Sequence, residues 1–157
     1  MILRVGIAQY KVGFEGDTLV AQALGSCLGI VLYDPRQRIG GMAHVLLPHP
    51  LSDGAPVPAG KFVVSAIPAL LAKLEKAAQQ KPRLRARVVG GANMFGRPED
   101  GRNVGRRNID AARAVLHQIH IPIAAEDVGG TWARTAELDV ASGRLRVHSC
   151  RGGEMEL

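Results

Sequence analysis

The sequence is poor in cysteine, which limits how the fold can be held together. Its 157 residues include only Cys27 and Cys150. Two cysteines are too few for the disulfide framework that stabilises small secreted domains. Either the two form a single bridge or both stay reduced, and the low count favours a reducing compartment. The chain is long enough to bury an apolar core without disulfides or a structural metal.

Long hydrophobic runs are also missing. No apolar stretch reaches the roughly 18 residues that a membrane-spanning helix needs, because Arg4, Lys61 and Lys73 interrupt the candidates. The segment 1–10 alternates between apolar and polar residues like a strand, and it lacks the basic start and long apolar centre of a signal peptide. We therefore expect a cytoplasmic protein with no membrane insertion.

Aromatic residues make up only 4% of the chain, although its formal net charge is +6. Such a charge favours acidic partners. Nucleic-acid platforms interleave basic and aromatic residues, and this sequence has no such pattern, so we expect no nucleic-acid partner. Arg83, Arg85 and Arg87 form the tightest basic cluster. They are either a solvated face or a surface for an acidic protein.

Apolar patterning predicts strands and helices along the whole chain. The predicted strands cover 3–8, 28–33, 39–47, 87–89, 121–127, 134–140 and 144–148. The predicted helices cover 61–80 and about 103–119, and Pro68 requires that the first helix either kinks or begins later. These elements predict one α+β domain over residues 1–157, with packed sheets covered by two main helices.

The residues best suited to chemistry lie in the first third of the chain. Cys27 stands between Gly25 and Gly29 at the start of one apolar segment, and His44 lies in the next. A thiol and an imidazole on neighbouring strands are the minimum equipment of a cysteine hydrolase, because a thiol with a pKa of about 8.5 needs a proton acceptor. An arbitrary free cysteine is more often a small buried hydrophobe. Here the flanking glycines, which permit close backbone approach, favour a catalytic position.

The turn at Asp34-Pro35 predicts an antiparallel hairpin between the strands that carry Cys27 and His44. Cys27 lies at the start of one arm and His44 well along the return arm, so the residue count alone does not pair them. We expect a twist, bulge or bend to bring the two side chains together.

Glycines further along the chain supply weaker candidates. Gly90 and Gly91 end a predicted strand, where they can approach the site and present the Asn93 amide to a substrate. A plain strand-to-loop turn explains the same glycines equally well. His117 and His120 lack a third ligand at suitable spacing, so we expect no metal site. No phosphate-binding loop signature is present, and we expect no cofactor.

A series of short motifs occurs in the order and spacing of one known family. The motifs are Leu24-Gly25-Ser26-Cys27, Asp34-Pro35, Gly41-Met42-Ala43-His44-Val45-Leu46-Leu47-Pro48, Ala66-Ile67-Pro68, Gly90-Gly91-Ala92-Asn93-Met94-Phe95, Gly105-Arg106-Arg107-Asn108, Asp127-Val128-Gly129-Gly130 and Ser142-Gly143. They resemble the signature of the CheD family, the chemoreceptor glutamine deamidases of bacterial chemotaxis. An ordered series arises by chance far more rarely than any single match, and this one runs through nearly the whole chain.

The resemblance implies roles for individual residues. Cys27 is the expected nucleophile, His44 the expected general base, and main-chain N–H groups around Ser26 and Cys27 the expected oxyanion donors. The family's third catalytic member is a threonine six residues before the cysteine, where this chain has Ala21. Either Gln22, Ser26 or a main-chain carbonyl would then orient His44. The substrate-binding candidates are Gly90, Gly91, Asn93, Arg107 and Asn108.

The resemblance also implies a fold and a function. The expected fold is similar to the catalytic domain of cytotoxic necrotising factor. The expected activity is that of a protein-glutamine glutaminase, which converts glutamine side chains of methyl-accepting chemoreceptors to glutamate by Cys-His acyl transfer. The alternative is a regulatory module that binds a CheC-type phosphatase with weak or no turnover, since such a module would tolerate the loss of the threonine.

Overall fold

The structure, a computed structural model, describes residues 1–51, 54, 57–96, 98 and 102–157. Within these residues, ten strands and two α-helices are formed, with one 3-10 turn at Ala59–Lys61. The strands are β1 (Ile2–Arg4), β2 (Gln9–Gly13), β3 (Thr18–Leu24), β4 (Leu28–Asp34), β5 (Ile39–Val45), β6 (Arg85–Gly90), β7 (Ile123–Val128), β8 (Arg134–Asp139), β9 (Leu145–Ser149) and β10 (Glu154–Glu156). The helices are α1 (Val63–Ala77) and α2 (Val104–Gln118).

The strands form two mixed sheets of five strands each. The outer sheet has the order β1-β3-β8-β9-β10, and the central sheet has the order β2-β5-β4-β6-β7. Only the β1–β3 and β6–β7 pairs are parallel among the paired strands described. Apolar residues of β4, β5 and β6 form one core with both helices, and other residues of β4 and β5 form a second core with the outer sheet. The predicted α+β fold with two main helices is confirmed, while the similarity to the necrotising factor domain stays a prediction.

Strands β4 and β5 lie in the middle layer, so every one of their residues is buried. Leu28, Ile30 and Leu32 of β4 face the helices, whereas Val31 and Tyr33 face the outer sheet. A strand covered on both faces is apolar throughout rather than alternating, which is why these two strands were well predicted from the sequence. Their antiparallel pairing confirms the predicted hairpin.

Helix α1 is shorter than the predicted range of 61–80. It begins at Val63, after Phe62, and ends at Ala77. Pro68 remains inside it on the exposed side, where the Val64 carbonyl that would lose a partner also belongs to an exposed residue. Helix α2 begins at Val104 because the side chain of Asn103 accepts a hydrogen bond from the Arg106 N–H at 3.2 Å.

The predicted strand at 3–8 is wrong in its extent. The chain leaves the outer sheet after Arg4 and enters the central sheet at Gln9, and the crossing between them includes Ala8 with a left-handed φ of 66°. Strands β2, β3 and β10 were missed. The first and last are edge strands with polar or exposed residues, and β3 is interrupted by a register shift between Ala21 and Leu24.

Among the described residues, neither α1 nor α2 is both long enough and apolar enough to cross a bilayer.

Candidate active site

Cys27 lies in a three-residue loop, here called the Cys27 loop (residues 25–27), between β3 and β4. All three of its carbonyl oxygens are tied down from outside the loop. The Gly25 carbonyl accepts from the Ala92 N–H at 2.8 Å, and the Cys27 carbonyl accepts from the Gly91 N–H at 2.9 Å. The Ser26 carbonyl accepts from Nδ2 of Asn108 at 2.9 Å. The loop is therefore held rigidly on its carbonyl side.

Glycine is required where β6 ends against this loop. Gly90 has a φ of +113° and Gly91 a φ of +67°, which are conformations that L side chains rarely adopt. A Cβ atom on Gly90 would also lie 2.4 Å from the carbonyl oxygen of Cys27. The sequence left open whether these glycines approach the site or only turn the chain, and they do both.

His44 lies on the same sheet face as the Cys27 loop. In the β4–β5 register, His44 is directly opposite Gly29, and Cys27 precedes Gly29 by two residues. Diagonal neighbours of this kind lie about 7–8 Å apart in a regular antiparallel pair. Gly29 carries no side chain, and Leu24 packs over it from β3. Strand β3, which leads into the Cys27 loop, has a register shift against β8 between Ala21 and Leu24. The β4–β5 pairing itself is regular from Leu28 to Asp34, so the bulge, twist or bend expected within the hairpin stays a prediction.

One nitrogen of the His44 ring is held by the main chain. Nδ1 lies 3.0 Å from the carbonyl oxygen of Val5, which follows β1 and is itself fixed by a 2.7 Å bond from its N–H to the Val20 carbonyl. A carbonyl only accepts hydrogen bonds, so in the neutral ring Nδ1 carries the hydrogen and Nε2 presents its lone pair. Nε2 is buried and has no hydrogen-bond partner among the described residues, the Cys27 sulfur included.

Burial keeps both groups uncharged near neutral pH. His44 is 2% exposed, and desolvation lowers the pKa of its imidazole although the Val5 carbonyl opposes the shift. Cys27 is 7% exposed, and desolvation raises the pKa of its thiol although its own main-chain N–H opposes the shift. The resting site therefore holds a neutral thiol and a neutral imidazole rather than an ion pair.

The structure distinguishes between the groups that the sequence offered to orient His44. Ala21 is fully buried in the core between the sheets, together with Cys27, and its methyl group accepts no hydrogen bond. Gln22 is exposed, and its Oε1 accepts from Arg4 at 3.1 Å. The contact to His44 comes from a main-chain carbonyl, that of Val5.

A pocket of about 220 Å³ opens beside the Cys27 loop. Ser26 forms part of its wall, with Asn93 and Asn103 as its buried polar residues. The Oδ1 of Asn103 caps α2, but its buried Nδ2 has no partner in the part of the chain that the structure describes. Met94 and Phe95 also line the pocket and are 44% and 86% exposed. The pocket therefore combines an unpaired amide donor with an apolar rim.

Two further candidates lie in α2. Asn108 is fully buried, and both hydrogens of its amide are used inside the protein, on the carbonyls of Ser26 at 2.9 Å and Leu46 at 3.1 Å. It therefore contacts backbone on either side of the site and does not line the pocket. Arg107 is half-buried, and its guanidinium lies 3.2 Å from Nε2 of His49.

Sequence reasoning missed two contributors to this site, Val5 and Asn103. Asn103 carried a usable signal, because an asparagine directly before an apolar helical stripe is a typical helix N-cap. Val5 carried none, since its contribution is a carbonyl that any residue type would supply.

Comparisons with known proteins identify the family of this chain. The family profile described as "CheD chemotactic sensory transduction" matches residues 46–149. A protein of Geobacter metallireducens named "Probable chemoreceptor glutamine deamidase CheD 2" is 42% identical over 153 residues, covering 94% of this chain and 93% of the relative. A Clostridium botulinum protein named "Probable chemoreceptor glutamine deamidase CheD" is 36% identical over 157 residues, covering 99% of this chain and 97% of the relative. The predicted resemblance is confirmed by both kinds of match, and the chain belongs to the CheD family.

Proposed function

We propose that this protein is a chemoreceptor glutamine deamidase that uses Cys27 as nucleophile and His44 as general base. The names of its relatives support the substrate and the reaction type. The proposal is carried by one observation, the state of the His44 ring. A buried imidazole with Nδ1 donating to the Val5 carbonyl and Nε2 unpaired has a lone pair free for a proton. Buried polar atoms without partners are rare in proteins, so this one calls for a functional reason.

The first half of the reaction forms a thioester. The Cys27 thiol gives its proton to Nε2 of His44, and the sulfur attacks the carboxamide carbon of a substrate glutamine. The carbonyl oxygen becomes an oxyanion, which the main-chain N–H groups of Ser26 and Cys27 stabilise. The protonated His44 then donates to the amide nitrogen, the carbon–nitrogen bond breaks, and ammonia leaves.

The second half returns the enzyme to its starting state. A water molecule gives a proton to His44 and attacks the thioester carbon, and the carbon–sulfur bond breaks. The substrate side chain leaves as glutamate, and the Cys27 sulfur regains its proton from His44. No step requires a cofactor, because the protein supplies nucleophile, base and oxyanion donors from its own chain.

The pocket beside the Cys27 loop is the proposed entry for the substrate side chain. A carboxamide is small and neutral, with one acceptor oxygen and two N–H donors, and the buried, unpaired Nδ2 of Asn103 offers a matching donor for that oxygen. Gly91 supports this site from behind, because its N–H holds the Cys27 carbonyl at 2.9 Å. The exposed Phe95 at the rim is suited to contact an apolar stripe of a receptor helix.

The experiment is deamidation of a receptor cytoplasmic fragment by purified protein, followed by ammonia release and by mass spectrometry of the receptor glutamines. Wild type should convert glutamine to glutamate, and Cys27→Ala and His44→Ala should each lower kcat by about a thousandfold or more. Cys150→Ala and His117→Ala are matched controls, because both residues are exposed. These controls should retain wild-type rates.

Failure of the wild type to convert any glutamine would contradict the proposal. If the same protein bound a CheC-type phosphatase and changed its activity, the regulatory module would be the better description. Equal loss of activity in Cys27→Ala and Cys150→Ala would argue against the assigned nucleophile.

A further inference from the structure

We infer that Asn108 is a positioning residue that builds the oxyanion site by fixing the peptide between Ser26 and Cys27. The inference deepens the proposed function, and its test below does not depend on the receptor. Asn108 was a candidate for binding substrate, but its burial and its two backbone contacts give it a different role.

The first step of the reasoning is peptide geometry. The carbonyl of Ser26 and the N–H of Cys27 belong to the same planar trans peptide and point in opposite directions. A hydrogen bond that fixes the carbonyl therefore fixes the N–H as well. Nδ2 of Asn108 makes this bond at 2.9 Å, from a side chain that is fully buried in α2.

The neighbouring peptide is fixed in the same way. The Gly25 carbonyl accepts from the Ala92 N–H at 2.8 Å, and the N–H on the far side of that peptide belongs to Ser26. Ser26 and Cys27 lie between β3 and β4. Among the described residues, neither of their N–H groups makes a main-chain hydrogen bond of the kind found in turns and loops. Two adjacent donors are thus held with their hydrogens directed away from the anchoring contacts.

The donor strength also benefits from this arrangement. Hydrogen bonding to a peptide carbonyl polarises the peptide and strengthens its N–H as a donor. The Cys27 N–H belongs to the residue that carries the attacking sulfur. It is therefore close in the chain to the atom at which the reaction starts, which is where an oxyanion donor is needed.

The second contact of Asn108 links the oxyanion donors to the base. The same Nδ2 donates to the carbonyl of Leu46, two residues after His44. One buried amide therefore fixes the distance between the Cys27 loop and the chain that follows His44. This link is made by a side chain from a third element, α2, and so it can be removed without altering either strand's sequence.

The test uses protein in which the exposed Cys150 is replaced by alanine, and it compares two reactions of Cys27 that differ in whether an oxyanion forms. Acylation by p-nitrophenyl acetate passes through a tetrahedral oxyanion, whereas alkylation by iodoacetamide displaces iodide at a saturated carbon and forms none. Both require the thiolate, and neither requires a receptor. In Asn108→Ala we expect the acylation rate to fall by about tenfold or more, and the alkylation rate and its pH dependence to stay within about threefold of wild type.

The control variant is Leu116→Ala, which removes another fully buried side chain of α2 without touching the Ser26 carbonyl or the pocket, and it should leave the ratio of the two rates unchanged. Should Asn108→Ala fail to fold, Asn108→Ser, which keeps one donor, is judged by the same ratio. An equal fall of acylation and alkylation, or no fall of acylation, would overturn the inference. Because deamidation is assayed separately, a wild type that acylates normally but converts no receptor glutamine refutes the proposed function alone.

Discussion

The burial of His44 determines how the site should respond to pH. Its pKa lies below the usual value of 6.5 because burial disfavours the charged ring. The neutral, base-competent form therefore persists below pH 6.5. We expect kcat/KM for deamidation to stay level as pH falls to 6.5 and to decline only below it.

The measurement is a pH profile of wild type and of His117→Ala, whose exposed histidine serves as the control. The two profiles should coincide. An acid limb centred above pH 6.5 would mean that His44 is charged in the resting enzyme, contrary to its surroundings.

A substitution at position 21 tests whether His44 needs the family's threonine to orient its ring. Since the Val5 carbonyl already accepts from Nδ1 of His44, we expect Ala21→Thr to give about the same activity as wild type. Ala21 is fully buried, so the larger side chain should lower the free energy of unfolding by about 1–3 kcal/mol.

Ala21→Val is the matched control, because valine has the shape of threonine without its hydroxyl. Urea unfolding and the deamidation rate should be the same in both variants. A rise in activity confined to Ala21→Thr would show that His44 is poorly oriented in the natural sequence.

At the scale of elements, the end of β6 sets the position of the Cys27 loop. Gly90→Ala should lower the free energy of unfolding by about 3 kcal/mol or more, because its Cβ would meet the Cys27 carbonyl oxygen in addition to the strained φ. We also expect slower alkylation of Cys27, since the Gly91 N–H would be pushed off that carbonyl.

Gly16→Ala is the matched control for this prediction. Gly16 has a similar φ of +100° and nothing within 4 Å of an added Cβ. It should lose only about 1–2 kcal/mol and alkylate normally. Equal losses in the two variants would mean that backbone conformation, and not contact with the loop, is what Gly90 provides.

The elements also show what the sequence could and could not reveal. Strands β4 and β5 are predictable because burial on both faces leaves an uninterrupted apolar signal, and the hairpin turn at Asp34 follows from its turn residues. Strand β10 could not be predicted from the sequence, because all three of its residues are exposed and no apolar alternation marks it. The Cys27 and His44 pair could be proposed from residue types, but the anchor of His44 could not, because it is a backbone atom of Val5, just after β1 and remote in sequence.

At the scale of the whole molecule, the buried pair links stability to pH. Below pH 6.5 the unfolded His44 binds a proton that the folded one resists, so the free energy of unfolding should fall as pH drops through this range toward the folded pKa. Above the usual thiol pKa of about 8.5, the unfolded Cys27 loses a proton that the folded one keeps, so stability should fall as pH rises.

Urea unfolding of wild type and His44→Gln at pH 7 and pH 5.5 checks the acid side. The variant should lose less stability between the two pH values than wild type does. His117→Gln, which replaces an exposed histidine, should behave like wild type. Identical pH dependence in all three proteins would contradict the burial of a neutral His44.

The charge distribution makes a prediction about receptor binding. Arg87, one of the clustered arginines, is half-buried, and its guanidinium donates to the carbonyls of Gly143 and Leu157. Arg85 lies at the end of β6 opposite to Gly90, whereas Arg107 lies one residue from Asn108 at the site.

We expect Arg107→Glu to weaken receptor binding and to reduce its salt dependence, and Arg85→Glu to have the smaller effect. Titration at two salt concentrations measures both, and a larger effect at Arg85 would place the acidic partner elsewhere.

The acceptor that holds the His44 ring is the main-chain carbonyl of Val5, in the peptide that joins Val5 to Gly6, so no substitution at position 5 can delete it. Alanine at position 5 would remove buried side-chain packing but would leave this hydrogen bond in place. The position of the Val5 carbonyl depends instead on the pairing of β1 with β3. Separation of β1 from β3 would remove the hydrogen bond to Nδ1 of His44, and the base would lose its orientation although no residue of the pocket had changed.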